Sequence, residues 1–216
     1  EFCIRSWQRH NETNILYADR EVINLPSGVR VVNPLLVPGV SYWFDDKRAM
    51  LNPAGFSNLF RMLLLKHYAA LWLDTDVLVL GGVEKYGANT FGLESAHRVN
   101  GAVLSLSNES GILDVLIEEL GKYSGQRIIF GDLGPSLLTK ILREHNLEEH
   151  AFPVSEFYEI RSTEVWKLFS REHYSEINSR LEGKTMIHLW NEASKLAPFK
   201  LNQLSSCVLQ TPQSLC

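Results

Sequence analysis

Residues 71–80 read Leu71-Trp72-Leu73-Asp74-Thr75-Asp76-Val77-Leu78-Val79-Leu80, an apolar run with two carboxylates in its middle. A short run of bulky and β-branched apolar side chains is typical of a strand that is covered on both faces in an α/β sheet. In an extended strand, Asp74 and Asp76 would project from the same face, which Trp72 and Leu78 share. The sequence therefore predicts one buried strand over residues 71–80.

The two carboxylates need a partner if this strand is buried, because an unpaired buried carboxylate costs several kcal/mol. A divalent cation with a phosphate-bearing ligand would neutralise the pair. In the alternative interpretation, the strand ends near Asp74 and both carboxylates are solvated. We favour a functional pair, since an Asp-x-Asp pattern inside an apolar strand is a recognisable motif.

Composition narrows the class of protein. The chain has 216 residues, of which 45% are hydrophobic, enough for one domain with a real core. With a net charge of -4, the chain has no overall positive potential that would attract nucleic acid. No segment reaches the ~20 apolar residues that a membrane span needs. Three cysteines, at positions 3, 207 and 216, favour free thiols in a reducing compartment, although the last two could pair under oxidising conditions.

Helical and extended patterns alternate along the chain. We predict four helices, over residues 2–10, 57–67, 111–123 and 136–146, the second of them with Ser57 as its N-cap and His67 at its end. We predict further strands over residues 14–17, 29–32, 90–93, 102–106 and 186–190. Asn52-Pro53-Ala54-Gly55 is expected to form a turn before the Ser57 helix. Such alternation favours an α/β fold with a mainly parallel sheet.

Four motifs follow one another in the chain: FSNLFR at residues 56–61, LDTD at 73–76, GDLGPSLLT at 131–139 and HLWN at 188–191. In this order they resemble the glycosyltransferases of family 32, which include bacterial capsular-polysaccharide sugar transferases and animal α-1,4-galactosyltransferases. The resemblance covers about residues 3–200. It rests on the joint order of the motifs and on no single one of them.

The resemblance implies a Rossmann-like GT-A glycosyltransferase fold, with a single catalytic domain over residues 1–216 and a C-terminal tail over residues 200–216. Relatives open with a strand near the nucleotide base, and this sequence is expected to begin just after it. We expect a cytoplasmic protein, or one of the Golgi lumen if an N-terminal anchor precedes this sequence.

The implied activity moves a hexose from a nucleoside-diphosphate sugar, a UDP-sugar by preference, to a glycan or other hydroxyl acceptor with retention of configuration, as in polysaccharide biosynthesis. By resemblance, Asp76 is the direct metal ligand, His188 is a second protein ligand, and Asp74 contacts the ribose or donor sugar with some metal contact. Oxygen ligands of this kind suit Mn2+ or Mg2+. No covalent nucleophile is implied.

Arg61 is expected beside the donor sugar and its phosphate, and it completes the catalytic set with Asp74 and Asp76. The other donor-binding candidates are Ser57, Asn58, Asn100, Gly101, Gly134, Pro135, Trp190 and Asn191. Asn58 stands where the family usually has Asp, which leaves the donor sugar open. A simple turn is an equal alternative for Asn100-Gly101. Taken alone, His188 would more often be a satisfied core histidine, and the Trp190-Asn191 that follows it favours the functional interpretation.

Two other functions fit parts of the pattern. A degenerate protein that binds a sugar nucleotide without turnover would explain Asn58, the Ala69-Ala70 pair where relatives have Gly-Gly, and a missing first strand. A phosphohydrolase of the haloacid dehalogenase type also carries Asp-x-Asp after an apolar strand, with the first Asp as nucleophile. That class expects Thr or Val where this chain has Leu78, and a late acidic pair where it has Asp132 alone.

Overall fold

A computed structural model of the chain describes residues 1–10, 13–47, 53–122 and 132–191, so Gly131 and the predicted tail lie outside the described residues. The helices are α1 Phe2–His10, α2 Val40–Lys47, α3 Pro53–His67, α4 Ile112–Lys122, α5 Leu137–Glu144, α6 Val154–Phe157 and α7 Tyr174–Leu181. The strands are β1 Ile15–Tyr17, β2 Arg30–Val32, β3 Trp72–Leu73, β4 Val77–Val79, β5 Thr90–Ser95, β6 Arg98–Ser105 and β7 Met186–His188.

The strands form three small sheets. β1 pairs with β2 in parallel, β6 lies between β3 and β5 with antiparallel pairing on both sides, and β4 pairs antiparallel with β7. The predicted mixture of helices and strands is confirmed. A mainly parallel central sheet is not, because only one of the four strand pairings within the described ranges is parallel.

The prediction of one continuous strand over residues 71–80 is wrong. β3 ends at Leu73, β4 begins at Val77, and a turn closed by a 2.9 Å bond from Val77 N–H to Asp74 O separates them. The break has a tertiary cause: β3 pairs with β6 whereas β4 pairs with β7, so the chain passes from one sheet to another at this turn. The turn, and not strand alternation, therefore directs the two carboxylates.

The predicted burial is complete only in the second half of this segment, from Val77 to Val79, whereas the side chains of β3 are partly buried against two apolar clusters. Trp72 packs against a core cluster formed by α3, α4, α5 and parts of β5 and β6. Leu71 and Leu73 pack against a second cluster, to which α1, β4, α6 and β7 contribute. Because neighbouring side chains of a strand point to opposite faces, β3 lies between the two apolar layers.

Helix α3 begins four residues earlier than the predicted N-cap. Pro53 occupies its first position, where the fixed φ of proline suits a helix start and the missing N–H costs nothing. Ser57 is therefore inside the helix, and residues 53–55 of the predicted turn are helical. The run from Leu59 to Leu65 is buried, which fastens the helix to the first cluster.

The other boundaries lie near their predictions, with two differences of note. β6 begins at Arg98, four residues before the predicted strand start, because Arg98, Val99 and Asn100 pair with the second half of β5. A turn over residues 132–136 that contains Pro135 precedes α5. Among the described residues, no helix is both long and apolar enough to span a membrane.

Helix α1 is attached to β4 by two buried hydrogen bonds. The Trp7 indole N–H donates to Val77 O at 2.8 Å, and Val79 N–H donates to Ser6 Oγ at 2.9 Å. Backbone groups of neighbouring residues in a strand point to opposite edges, so Val77 and Val79 share one edge, the edge away from β7. Side chains of α1 therefore satisfy backbone groups that a further strand would otherwise satisfy.

Replacing Ser6 by Ala should lower the free energy of unfolding by about 1–3 kcal/mol, because Val79 N–H would remain buried without an acceptor. Urea unfolding of the variant beside wild type measures this loss. Ser155→Ala, on the exposed surface of α6, is the matched control and should change stability by less than about 0.5 kcal/mol. Equal stability of the two variants would contradict this account of how α1 docks.

Candidate active site

A cleft of about 1700 Å³ opens along the turn between β3 and β4. All of the residues predicted for catalysis, donor binding or metal ligation line it, namely Ser57, Asn58, Arg61, Asp74, Asp76, Asn100, Gly101, Gly134, Pro135, His188, Trp190 and Asn191. Four motifs that are spread over more than a hundred residues of chain thus meet at one place. Their individual roles stay predictions.

Asp74 is held through one of its two oxygens. Oδ1 accepts a 2.9 Å bond from Arg61 Nη2 and a 2.7 Å bond from the Trp72 indole N–H. Within the described part of the chain, no hydrogen bond occupies Oδ2. The side chain is 29% exposed. Asp74 is therefore a fixed carboxylate with one oxygen available to a ligand in the cleft.

Arg61 makes its contacts beneath the floor of the cleft. The residue is buried, Nη1 donates to Gly101 O at 2.5 Å, and the guanidinium lies 5.0 Å from the centre of the Trp72 ring. Its charge thus faces Asp74, which makes it a positioning group for that carboxylate. Sequence reasoning missed the matching role of Trp72, although its place two residues before Asp74 was a usable signal.

Gly101 serves this arrangement through its lack of a side chain. A Cβ built at Gly101 would lie 2.6 Å from Arg61 Nη1. The close approach lets the guanidinium reach Gly101 O and Asp74 together. The predicted alternative of a simple turn at Asn100-Gly101 is wrong, since both residues lie within β6.

Asp76 is held by the segment that follows β7. Oδ1 lies 3.2 Å from His188 Nε2, Oδ2 accepts a 2.9 Å bond from Asn191 N–H, and the backbone oxygen accepts one from Leu189 N–H. Burial by itself raises the pKa of this carboxyl, but the His188 contact and the Asn191 N–H outweigh burial and bring the pKa below its ordinary value. Asp76 is therefore a carboxylate at neutral pH.

Asp74, Asp76 and His188 each offer one ligand atom, and these atoms all lie within 4.8 Å of one another. Around an octahedral divalent ion with bonds of ~2.1 Å, adjacent ligand atoms lie ~3 Å apart and opposite ones ~4.2 Å apart. The 3.2 Å between Asp76 Oδ1 and His188 Nε2 suits an adjacent pair. Two carboxylates and an imidazole therefore lie close enough together to be candidate ligands of one divalent cation such as Mn2+ or Mg2+.

Most of the hydrogen-bonding groups of the Asn100 side chain already have partners within the protein. Its Nδ2 donates to Glu94 Oε2 at 2.6 Å, and its Oδ1 accepts from Ala102 N–H at 2.8 Å. The pairing register of β5 and β6 shifts in this region, and the Asn100 amide bridges the irregularity. One amide hydrogen and one lone pair remain for a ligand. Sequence reasoning did not find Glu94, which also lines the cleft.

Asn58 and Gly134 meet across another wall of the cleft. A Cβ at Gly134 would lie 3.1 Å from Asn58 Nδ2, so the glycine lets the amide approach the turn that precedes α5. Ser57 and Pro135 lie beside this contact in the sequence, and both are partly exposed to the cleft. The amide of Asn58 is thus placed where it can hydrogen-bond a ligand through either of its ends.

Trp190 packs its ring at 4.5 Å from the ring of His188, and its indole N–H donates to Ile160 O at 2.7 Å. His188 itself is buried, with Nδ1 free of hydrogen bonds to described residues. Tyr158, fully buried, contacts both rings. Its desolvated hydroxyl, whose pKa burial raises well above the ordinary value, donates to Asn100 O at 3.3 Å. Sequence reasoning missed this tyrosine.

The family described as alpha 1,4-glycosyltransferase conserved region matches residues 108–214. The match covers just under half of the chain. The resemblance to glycosyltransferase family 32 is thereby confirmed. The matched residues include His188, Trp190 and Asn191. Arg61, Asp74 and Asp76 precede the matched residues in the sequence but line the same cleft.

An uncharacterized protein of Arabidopsis thaliana is 28% identical to this chain over 188 residues. The match covers 81% of this chain but only 28% of the relative, so the chain spans a small part of that protein's length. No solved structure matches the chain significantly. The conserved region supports a role in glycosyl transfer.

Gly101→Ala should lower the free energy of unfolding by about 1–3 kcal/mol, because the new methyl group would force the buried Arg61 guanidinium out of place. Gly87→Ala is the matched control, since a Cβ there has no heavy atom within 4 Å. Urea unfolding of both variants tests the prediction. A Gly101→Ala protein as stable as Gly87→Ala would mean that Arg61 can move without cost.

Proposed function

We propose that this chain is the catalytic part of a metal-dependent glycosyltransferase that moves a hexose from a nucleoside-diphosphate sugar to a hydroxyl group of a glycan or other acceptor. The observation that carries the proposal is the convergence of Asp74, Asp76 and His188 in a large cleft. The family match over residues 108–214 supports a role of these residues in glycosyl transfer. A UDP-sugar is our preferred donor, and retention of configuration our preferred outcome.

We also propose that residues 1–216 belong to one GT-A-like catalytic domain. Two apolar layers enclose β3, and the turn that follows this strand carries the proposed metal ligands. Ligands of α/β folds commonly bind where strands end and the chain turns away from the sheet. The placement of Asp74 and Asp76 beyond the end of β3 agrees with this rule.

The proposed ligand atoms are Asp74 Oδ2, Asp76 Oδ1 and His188 Nε2. A divalent ion held there would act as a Lewis acid on the diphosphate leaving group of the donor. The protein keeps the other oxygen of each carboxylate: Arg61 and Trp72 hold Asp74 Oδ1, and Asn191 N–H holds Asp76 Oδ2. Each carboxylate then presents one oxygen in a fixed direction, which reduces the reorganisation that ligand binding requires.

In the proposed reaction, the bond between the anomeric carbon and the diphosphate oxygen breaks as the acceptor oxygen bonds to that carbon. The acceptor proton passes to an oxygen of the departing diphosphate, so the proposal assigns no covalent nucleophile. The cleft is larger than the roughly 300–1,000 Å³ of typical ligand sites. Donor and acceptor can therefore occupy it together, with Asn58 and Asn100 placed to bind sugar hydroxyls.

Calorimetric titration of UDP with and without Mn2+ tests the donor site. Wild type should bind UDP with an affinity at least about 10-fold higher when Mn2+ is present, and Asp76→Asn should lose this gain, because the amide is a weak ligand and removes one negative charge. Asp114→Asn is the control, since that carboxylate lies in an exposed pair with Lys66. Metal-independent UDP binding in all three proteins would contradict the proposed site.

Incubation with a panel of UDP-hexoses and Mn2+ tests turnover. We expect release of UDP from one or few donors, with a loss of about 100-fold or more in Asp76→Asn, because the ion contributes several kcal/mol to stabilising the leaving group. Metal removal by a chelator should have the same effect. Tight metal-dependent UDP binding without release from any donor would instead favour the alternative of a sugar-nucleotide-binding protein that lacks turnover.

A further inference from the structure

Trp190 adopts a backbone conformation that is costly for its residue type. Its φ is 52°, in the left-handed region that favours glycine and is tolerated by asparagine. For a bulky side chain this conformation costs roughly 1–2 kcal/mol, so something in the surrounding structure must offset the cost. The bond from the Trp190 indole N–H to Ile160 O and the ring contacts with His188 and Tyr158 are the observed anchors.

The left-handed residue changes where the following N–H points. The pairing of β4 with β7 places His188 opposite Val77, and the bond from Leu189 N–H to Asp76 O extends this ladder by one residue. If the chain stayed extended, Asn191 N–H would lie ~7 Å beyond Leu189 along the strand. Instead it returns to donate to Asp76 Oδ2 at 2.9 Å.

We propose that Trp190 is a positioning residue for Asp76, acting through its left-handed backbone and its anchored indole. By directing Asn191 N–H to Oδ2, it leaves Oδ1 as the oxygen that faces His188 Nε2 and a shared cation. This inference rests on the proposed function as far as the cation is concerned. The geometry of the Asn191 bond can be tested without it.

Three substitutions separate the backbone from the side chain. Trp190→Gly, Trp190→Asn and Trp190→Ala all remove the indole and its bond to Ile160 O. Glycine and asparagine tolerate a φ near 52°, whereas alanine is destabilised in this left-handed conformation. A difference between alanine and the other two variants therefore reports the backbone conformation alone.

Two measurements follow from this design, and the first needs no metal. Hydrogen exchange of the Asn191 amide, observed by NMR, should be about 5-fold or more faster in Trp190→Ala than in Trp190→Gly or Trp190→Asn. Mn2+ titrated into the folded proteins should bind in the same order, with the alanine variant weakest by a similar factor. Wild type, which alone keeps the indole anchor, should show the slowest exchange and the tightest binding.

Asn146→Ala separates a positioning role from a general loss of stability. Asn146 also has a positive φ, 56°, but follows α5 on the exposed surface and does not line the cleft. Asn146→Ala should have a lower unfolding midpoint in urea than wild type, and the decrease should be similar to the difference between Trp190→Ala and Trp190→Gly. The exchange rate of the Asn191 amide and the affinity for Mn2+ should stay at their wild-type values. Equal changes in those two quantities for Asn146→Ala would overturn the positioning role.

The outcomes for Trp190 and for the metal site are distinguishable. If the alanine, glycine and asparagine variants exchange Asn191 N–H at the same rate, the proposal for Trp190 is wrong whatever the metal does. If exchange follows the expected order while wild type binds no Mn2+, the backbone role stands and the metal-dependent part of the proposed function is overturned. Agreement of both measurements supports the two together.

Discussion

The pairing of β4 with β7 is the constraint on which the site depends. It joins positions more than a hundred residues apart in the chain and places His188, Leu189 and Asn191 around Asp76. Helix α1 supports β4 from its other edge through Ser6 and Trp7, so the strand that follows the turn is held on both sides. A rigid strand next to Asp76 fixes where that carboxylate can point.

Electrostatics explains why so many contacts converge here. Two half-buried carboxylates separated by one residue repel each other. The protein offsets this with the Arg61 charge and the Trp72 N–H on Asp74, and with His188 and a backbone N–H on Asp76. Asp74 Oδ2 accepts no hydrogen bond from a described residue, whereas both oxygens of Asp76 are engaged, Oδ1 by the imidazole of His188 and Oδ2 by Asn191 N–H.

Sequence reasoning succeeded where the local signal and the tertiary contact agreed. The helix over residues 2–10, the late strand that begins at Met186 and the acidic motif all lie where periodicity and composition place them. It failed where a neighbour in space overrode the local pattern. The apolar run over 71–80 has the composition of one strand but is divided because its halves pair with different partners, and Pro53 starts α3 inside an expected turn.

The sequence by itself determined which chemical groups are available: an Asp-x-Asp pair, an arginine on a preceding helix, a late histidine, and glycines that permit close approach. Side-chain chemistry and short-range periodicity are local properties, so they can be read from the chain. Only the tertiary structure decided which oxygen of each carboxylate is held, that Arg61 turns toward Asp74, and that Asn191 contributes its backbone N–H. Those choices follow from strand pairing and from a left-handed residue at Trp190, and both depend on contacts between distant parts of the chain.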